Sequence, residues 1–410
     1  MTTDFDARLG ELRGQLLRYR ADRHPVEHAT LQFHLGVTLL EAGRDEPASV
    51  ALGVAAELFD PDEHAVEQAK ALNMLGVAHR NRGDLTAAAD SFRQAANVFE
   101  QQSRPLEHAA ALFNLGLVQR DRAEHEDAVA RFRAALDIFR AGGPPARSSA
   151  AARELGVTLL QLGKLDDAAE VLEEAKELAR QAGELAALGA AANALGLAQL
   201  SADRADAAVE AFRAAVGAHP RTVRPVDYAM AKANLALAYE RAGDAPRARL
   251  SARQALAVGT LPSPVTEQAS ALLARLPEAS DDLLVVLDQE PSDRWMDEAR
   301  PELTRWVSAA ADERRAAANA WITGQLARDD AAIELAHAFL GVLLELPPEA
   351  MTTLIRATVE ALQAHDPEDR RRFRGEVARA MARFHIPQWQ RLQHEFERLA
   401  AEVGDDGSWT

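Results

Sequence analysis

Glu334 and His337 are the two residues whose types and spacing come closest to a catalytic metal site. A Glu-x-x-His step places a carboxylate and an imidazole on one face of a helix, and di-iron bundles combine two such steps with further carboxylates. The sequence contains no second step of this kind. We therefore expect the pair to be structural, and we predict neither a metal site nor a cofactor.

Nucleophilic or hydrolytic chemistry has no better support in the sequence. His385 and His394 stand alone, cysteine is absent, and no serine or threonine lies in a recognisable nucleophile elbow or glycine-rich loop. We predict that the chain is not an enzyme. A cryptic activity in residues 281–410 stays open as an alternative, and metal or cofactor bound to the purified protein would favour it.

Positive charge is concentrated in one place, at Arg370-Arg371-Arg372 and the arginines that follow. Such a run suits contact with phosphate or with an acidic partner. Nearby acids, including Glu368 and Glu376, favour a solvated helix face instead. The whole chain carries a formal net charge of −17, which opposes non-specific binding to nucleic acid or to an anionic membrane.

Bulk composition sets the compartment that we expect. Hydrophobic residues make up 48% of the 410 residues, so the chain can bury a large core, and no cysteine is present to form disulfides or metal clusters. No apolar run is long enough to span a bilayer, and no apolar stretch follows a basic start. We predict a cytoplasmic protein with no membrane partner and no nucleic-acid partner.

These side chains all lie beyond residue 280, whereas the longer first part of the chain follows a repeat of forty residues. A Leu-Gly step marks each copy, with alanine in place of glycine in the sixth. An alanine lies twelve residues after the glycine, a bulky apolar residue sixteen after it and a second alanine nineteen after it, with Ala252 as the one small exception among the bulky residues. The steps are Leu35-Gly36, Leu75-Gly76, Leu115-Gly116, Leu155-Gly156, Leu195-Gly196 and Leu235-Ala236.

Each copy is predicted to hold two helices, because offsets of three and four residues mark the faces of helices. A glycine seven residues after the Leu-Gly step suits the end of the first helix and a tight turn. The residues at this position are Gly43, Gly83, Ala123, Gly163, Asp203 and Gly243. Each copy is therefore a helix-turn-helix.

This pattern resembles the tetratricopeptide repeat, which combines a Leu-Gly step on its first helix with an Ala-x-x-x-Phe step on its second. The second step is literal in Ala88/Phe92, Ala128/Phe132 and Ala208/Phe212. The usual unit has thirty-four residues, so each copy here has six more. HEAT and armadillo repeats have a similar length but lack this small-residue code. The resemblance implies an all-α, TPR-type α-solenoid of about six to seven repeats.

The extra residues give the first helices a signature of their own. Proline at the first helical position and a carboxylate in the first turn favour the start of a helix. They occur together in Pro25/Glu27, Pro105/Glu107 and Pro225/Asp227. Extended repeats with this start resemble the arrays of bacterial signalling and conflict proteins and of kinesin light chains, and the bacterial arrays are the nearer match.

Period and composition together predict three parts. Residues 1–25 resemble a degenerate second helix that caps the stack, residues 26–280 form the array, and residues 281–410 form a carboxy-terminal helical domain of no recognised family. All five tryptophans lie in this last part, where we expect them to anchor a core. Pro301 is predicted to break the helix between the first two of them.

The resemblance also implies a binding site. In tetratricopeptide repeats the concave groove is lined by first-helix residues that do not pack between units. Asparagine at such positions suits an extended peptide backbone, and arginine suits a carboxylate or a phosphate. The predicted groove residues are Phe33, Asn73, Arg80, Asn81, Phe113, Asn114, Arg120, Arg153, Asn193 and Asn234.

The kind of ligand follows from what the groove lacks. The family's clamp for a terminal carboxylate uses a lysine and asparagines on successive first helices. The positions directly after each step hold only valine or leucine here, so we expect an amphipathic or internal peptide segment to bind. Phe33 and Phe113 are the predicted apolar anchors.

We therefore predict a scaffold or adaptor that captures a protein or peptide partner in the groove. Residues 281–410 would add a second contact or an effector role, and a homodimer stays open. The main alternative is a regulatory receptor that senses a peptide or a small ligand and passes a conformational change along the flexible solenoid. A ligand-dependent change in scattering radius would favour the receptor.

Overall fold

The computed structural model describes residues 2–277, 279, 281–405 and 407–409. In these residues the chain forms α-helices and one short 3₁₀ helix, and it has no β-strand. The helices group into two compact units, Met1–Arg204 and Ala205–Thr410, which we name unit 1 and unit 2. The prediction of an all-α repeat fold is confirmed.

Unit 1 consists of consecutive helices joined by short turns, and each helix packs on its neighbours in the chain. Its helices are α1 (Thr2–Arg18), α2 (Pro25–Glu41), α3 (Asp45–Leu58), α4 (Ala65–Asn81), α5 (Leu85–Gln101), α6 (Pro105–Asp121), α7 (His125–Gly142), α8 (Pro145–Gln161), α9 (Leu165–Ala182) and α10 (Leu185–Ser201). The first helices of the repeats, α2, α4, α6, α8 and α10, also lie side by side. We call the surface that they form the first-helix face.

The glycine of the Leu-Gly step lets the two helices of one repeat approach closely. A Cβ atom added to Gly116 would lie 2.8 Å from the ring of Phe132, and one added to Gly76 would lie 2.7 Å from the ring of Phe92. Both rings are fully buried. Because interiors are close-packed, any larger residue would have to displace the ring, which explains why glycine recurs opposite a bulky side chain.

The first helices end at residues in the left-handed region, as the sequence predicts. The φ angle is +80° at Gly83 and +72° at Gly163. Two copies use other residues at this position, Ala123 with φ of +60° and Asp203 with +59°. A side chain in this conformation costs roughly 1 kcal/mol, which glycine avoids.

At the start of unit 1, α1 packs against α2. Leu9 is fully buried in a cluster with Leu35, Leu39 and Leu52, so α1 covers the apolar side of the first repeat. This position suits the predicted capping role of residues 1–25, which stays a prediction.

Unit 2 begins with the remaining repeats and continues into helices outside the period. Its helices are α11 (Ala205–Ala218), α12 (Pro225–Arg241), α13 (Ala245–Leu256), α14 (Ser263–Arg275), α15 (Asp282–Leu287), α16 (Trp295–Ser308), α17 (Ala311–Leu326), α18 (Ala332–Glu345), α19 (Pro348–Leu362), α20 (Pro367–Met381) and α21 (Ile386–Val403). The 3₁₀ turn Ser292–Arg294 leads into α16.

The sixth repeat shows a complementary packing solution. Ala236 on α12 stands where earlier copies have glycine, and Ala252 on α13 stands in place of the bulky residue. Both alanines are fully buried. The smaller side chain at position 252 leaves room for the methyl group of Ala236, so the two changes are compatible.

One core joins the sixth repeat to the helices that follow the array. Leu250 on α13 is buried in the same cluster as Leu284 and Trp306. Arg249 Nε donates to Asp282 Oδ1 over 3.0 Å, and the Asp282 side chain is only 1% exposed. The predicted domain boundary after residue 280 falls between these packed helices, and it stays a prediction.

The expected break at Pro301 is wrong. Pro301 lies inside α16, which is continuous from Trp295 to Ser308. Proline removes one hydrogen bond of a helix, whereas Trp295 and Trp306 are both buried in the core of unit 2. Burial of two large aromatic side chains offsets the loss of a single bond.

Candidate partner-binding site

Two predicted asparagines lie on the first-helix face of unit 1 but bind each other. Asn114 Nδ2 on α6 donates to Asn73 Oδ1 on α4 over 3.2 Å. Asn73 is only 9% exposed. The pair therefore links neighbouring repeats, and it offers a ligand fewer polar groups than the sequence suggests.

The predicted arginines form a row of ion pairs across α4, α6 and α8. Arg80 Nε lies 2.7 Å from Asp121 Oδ2, and Arg120 lies 3.8 Å from the other oxygen of Asp121. Arg120 and Arg153 both contact the buried Glu154, Arg153 at 2.6 Å. The pairs of Arg80 and Arg120 link neighbouring first helices, so the charges of the predicted arginines are already balanced within the protein.

The other predicted asparagines lie apart from this row. Asn81 Nδ2 donates to Asp45 Oδ1 over 2.8 Å, which ties α4 to the start of α3. Asn193 lies on α10. Asn234 belongs to unit 2, where it accepts a hydrogen bond from Gln268 over 3.0 Å.

Two depressions open on the first-helix face of unit 1, with volumes of about 200 and 180 Å³. The larger is lined by Phe33, Met74 and Phe99. The smaller is lined by Phe113 and Phe139. The two predicted anchors, Phe33 and Phe113, therefore belong to neighbouring apolar depressions.

The depressions share two residues, Ala110 and Arg147, and we call them together the aromatic recess. The Arg147 guanidinium lies 5.8 Å from the ring centroid of Phe139, in cation–π contact. Within the described residues, Arg147 has no ion pair within 4.0 Å and no side-chain hydrogen bond. The exposed Arg147 guanidinium can therefore bind an anionic group.

Lys70 adds a second positive charge to the larger depression. The acidic side chain beside it, Glu107, is held by Arg104, whose Nε donates to Glu107 Oε1 over 3.0 Å. Burial acts to raise the pKa of Glu107, but the hydrogen bond from Arg104, a backbone hydrogen bond and the charge of Arg104 outweigh it, with a smaller effect of Lys70, so that pKa lies below its usual value. With Glu107 occupied, the recess keeps an excess of positive charge.

Sequence reasoning missed Lys70, Phe99, Phe139 and Arg147 as lining residues. The two phenylalanines left a signal, because Phe59, Phe99 and Phe139 recur at the forty-residue period. Their position near the ends of the second helices places Phe99 and Phe139 beneath the first-helix face. A search confined to first helices could not find them.

Arg147 left a different signal. At the same register four other copies carry an acid, at Glu27, Glu67, Glu107 and Asp227. An acid in the first turn stabilises a helix, whereas a cation there opposes the helix dipole. Arg147 reverses the charge at the start of α8, which has no acid in its first turn.

The residues weighed for metal chemistry are engaged elsewhere in unit 2. Glu334 Oε1 accepts from Arg383 over 3.1 Å, and the His337 ring stacks on Phe384 with centroids 4.4 Å apart. Burial, with the charge of Arg383, lowers the pKa of His337. Across the described ranges, no group of three acids or histidines is placed to hold a metal ion.

The arginine run of α20 is also largely paired. Arg374 lies 2.7 Å from Asp405. Arg372 contacts Asp329 and lies 3.0 Å from Glu376. These pairs favour a structural role for the run.

Comparison with family models matches two descriptions of the tetratricopeptide repeat. One covers residues 67–141, and the other covers residues 125–183 and 193–259. The chain carries tetratricopeptide repeats. The matched tetratricopeptide repeats supply most of the first-helix face of unit 1, and stacked repeats of this kind serve protein interaction in general.

Solved structures of other helical-repeat proteins are similar at low identity. The chain is 20% identical to pilF of Pseudomonas aeruginosa, with a TM-score of 0.46, over 61% of this chain and 98% of that one. BtubC from P. vanneervenii is 16% identical, with a TM-score of 0.43, over 61% of this chain and 94% of that one. PilW, a type IV pilus biogenesis factor, is 18% identical, with a TM-score of 0.46, over 60% of this chain and 98% of that one.

A search of the curated proteins gave no match. None of the described helices combines the length and the apolar character that are needed to cross a bilayer.

Proposed function

We propose that this chain is a protein-interaction scaffold that binds an amphipathic peptide segment in the aromatic recess of unit 1. One observation carries the proposal: Arg147 lines both apolar depressions and has no ionic partner among the described residues. Two apolar side chains of the segment would enter the depressions. A carboxylate between them would bind the guanidinium with two hydrogen bonds.

The size of the recess favours a peptide over a small molecule. Small-molecule sites usually enclose about 300–1,000 Å³, whereas each depression here measures about 200 Å³ or less. Depressions of this size suit single side chains of a longer ligand. A peptide that places an anchor in each also gains affinity from the exclusion of water around them.

Charge selects among such peptides. Lys70 and Arg147 leave the recess positive, because Glu107 is already bound by Arg104. We expect the bound segment to carry at least one Asp or Glu between its apolar anchors. The asparagine and arginine pairs keep the first helices in register, and residues 281–410 would provide a second contact.

A peptide library tests this proposal directly. The full chain is immobilised and used to select from phage-displayed random peptides. We expect enrichment of sequences with two aromatic or aliphatic residues around an acid. Arg147→Glu should weaken the binding of these peptides at least tenfold, because carboxylate and glutamate repel each other.

Arg133→Glu provides the matched control, since Arg133 is exposed on α7 and lies outside the recess. The affinity of the Arg133→Glu variant for the same peptides should equal that of the wild type. Circular dichroism should show equal helicity in all three proteins. Selected peptides that bind Arg147→Glu as tightly as the wild type would overturn the assignment of the recess.

A further inference from the structure

Unit 2 contains a cavity of about 470 Å³ between its last repeats and α16. Its volume lies within the range of small-molecule sites. Residues from α11, α12, α13, α15 and α16 line it. The polar lining residues that matter here are Arg213, Lys232, Arg247, Gln254 and Glu298.

Lys232 on α12 is the unusual residue of this cavity. It is only 9% exposed, and within the described chain its ammonium has no hydrogen bond and no ion pair within 4.0 Å. The ammonium lies 5.8 Å from the centroid of the Tyr228 ring, in cation–π contact. A buried cation without an acidic partner is costly, so its presence calls for a physical reason.

Repeat packing does not supply that reason. At the register of Lys232 the first copy holds Gln32, whereas five other copies hold an apolar residue, which in four of them is fully or almost fully buried. These residues are Leu72, Leu112, Ala152, Ala192 and Leu272. The sixth repeat therefore places a lysine where the architecture needs only a small or aliphatic side chain.

Two further polar atoms on the lining side chains lack partners. Arg247 Nε and Gln254 Oε1 are buried without a hydrogen bond among the described residues. More than nine in ten buried polar groups in native proteins are satisfied. Both atoms are closed off from solvent, however, so Lys232 is the unpaired group that a ligand in the cavity could reach.

The charges around the cavity indicate what kind of ligand this is. Arg247 lies 2.6 Å from both Asp244 and Glu290, and Arg213 lies 3.8 Å from Glu298. Lys232 is thus the cation of the lining that no acid compensates at close range. One negative charge on the ligand would balance it, while a dianion would meet the acids of α16.

We propose that this cavity binds a small monocarboxylic acid with an apolar body. Its carboxylate would pair with Lys232, and its body would contact the aliphatic lining residues Val216, Leu235 and Leu250. The site belongs to unit 2 and is independent of the aromatic recess of unit 1. The proposal therefore goes beyond peptide binding.

Proton uptake gives this site a signature. Burial lowers the pKa of Lys232 to about 8, against the opposing effect of Glu298 and Glu302 and with the added repulsion of Arg213. A bound carboxylate would raise that pKa again. Binding at pH 8.5 should therefore take up part of a proton, whereas at pH 6.5 the lysine is already charged.

Other groups near Lys232 do not produce the same signal. The charged and titratable neighbours are Arg213 on α11, Tyr228 and Tyr239 on α12, Arg247 on α13, and Asp297, Glu298 and Glu302 on α16. Burial raises the pKa of Tyr228 to about 12. Burial also raises the pKa of Tyr239, and the arginines stay charged in this range.

Isothermal titration calorimetry on the full chain tests the proposal. The probes are hexanoate and 3-phenylpropanoate, with hexanamide, 3-phenylpropanamide and inorganic phosphate as comparisons. We expect saturable binding of at least one carboxylate, at least tenfold tighter than its amide, with proton uptake at pH 8.5 and none at pH 6.5. Lys232→Met should weaken binding at least tenfold and abolish the uptake, while Lys176→Met should change neither.

Three results would overturn the proposal: no saturable binding of either carboxylate at millimolar concentration, tighter binding of phosphate, or unchanged binding by Lys232→Met. If Lys232→Met does not fold, Val216→Phe replaces it, because this change narrows the cavity from α11 without removing a charge. Carboxylate affinity that is unaltered in Val216→Phe would also count against the site.

Discussion

Lys232 carries a positive charge at a position where five other copies of the repeat hold an apolar residue, and this charge destabilises the folded protein. Burial lowers its pKa to about 8, whereas a lysine in an unfolded chain has a pKa of about 10.4. Between these values the unfolded state binds more protons than the folded state. Stability must therefore rise as the pH rises through this window.

We predict that the free energy of unfolding of the wild type gains on the order of 3 kcal/mol between pH 8 and pH 10.5, relative to Lys232→Met. At pH 7 the variant should be more stable than the wild type by a similar amount, because the folded state no longer holds a buried cation. Urea denaturation at several pH values measures the difference. Parallel pH profiles for the two proteins would contradict the prediction.

Single residues also mark the limit of what the sequence could predict about the candidate site. Phe33 and Phe113 were found because they occupy first-helix positions that line grooves in similar repeats. Arg147 and Lys232 differ from that pattern, and their meaning depends on which partners lie within reach. A sequence does not give the distance between Arg80 and Asp121, so the pairing of the predicted arginines could not be predicted either.

Within a repeat, the packing of two helices depends on one glycine and one bulky side chain. Most of the fold could be predicted from this pattern, since the offsets of glycine, alanine and the large residue define both helices and their contact. Helices outside the period, such as α16, were predicted less well. There the burial of Trp295 and Trp306 outweighs the local effect of Pro301.

Gly116→Ala should destabilise the protein by about 1–3 kcal/mol, because the added methyl group would overlap the buried Phe132 ring. Phe132→Ala alone should cost about 3–5 kcal/mol. In the double variant the cost of Gly116→Ala should vanish, since the ring is gone and alanine favours helix by about 1 kcal/mol. Urea denaturation of the wild type, the two single variants and the double variant gives the four free energies of unfolding that this double-mutant cycle needs.

Gly53→Ala is the control for this cycle, because it makes the same change inside α3, where an added Cβ has no neighbour within 4 Å. It should be neutral or slightly stabilising. Additive costs in the double variant would show that the glycine and the ring do not act as a pair.

On the scale of the whole molecule, the two units differ in how their stability is distributed. In unit 1 each repeat contacts mainly its neighbours, which is typical of repeat proteins. In unit 2 the last repeat shares a core with the helices that follow it, and the Arg249–Asp282 pair is buried where they meet. Damage at this pair should therefore affect all of unit 2.

Asp282→Asn should lower the stability of unit 2 by about 3–5 kcal/mol, because it leaves Arg249 buried without its counter-charge. Hydrogen exchange followed by mass spectrometry should show lost protection throughout unit 2, from α11 to α21, and unchanged protection in α4 to α9. The exposed Asp293 supplies a control, since Asp293→Asn should leave both regions unchanged. An equal loss of protection along the whole chain would contradict this picture.

In the first four repeats of unit 1, the glycine of the Leu-Gly step and the bulky side chain that it accommodates lie sixteen residues apart, inside one copy of the repeat. An in-frame duplication of residues 65–104 would therefore carry both members of the contact into the new copy and leave those of the other copies intact. Such an event would lengthen the interaction surface without requiring compensating substitutions elsewhere. The length of the interaction surface can thus change by whole repeats. Evolution and protein engineering can both adjust that length in the same way.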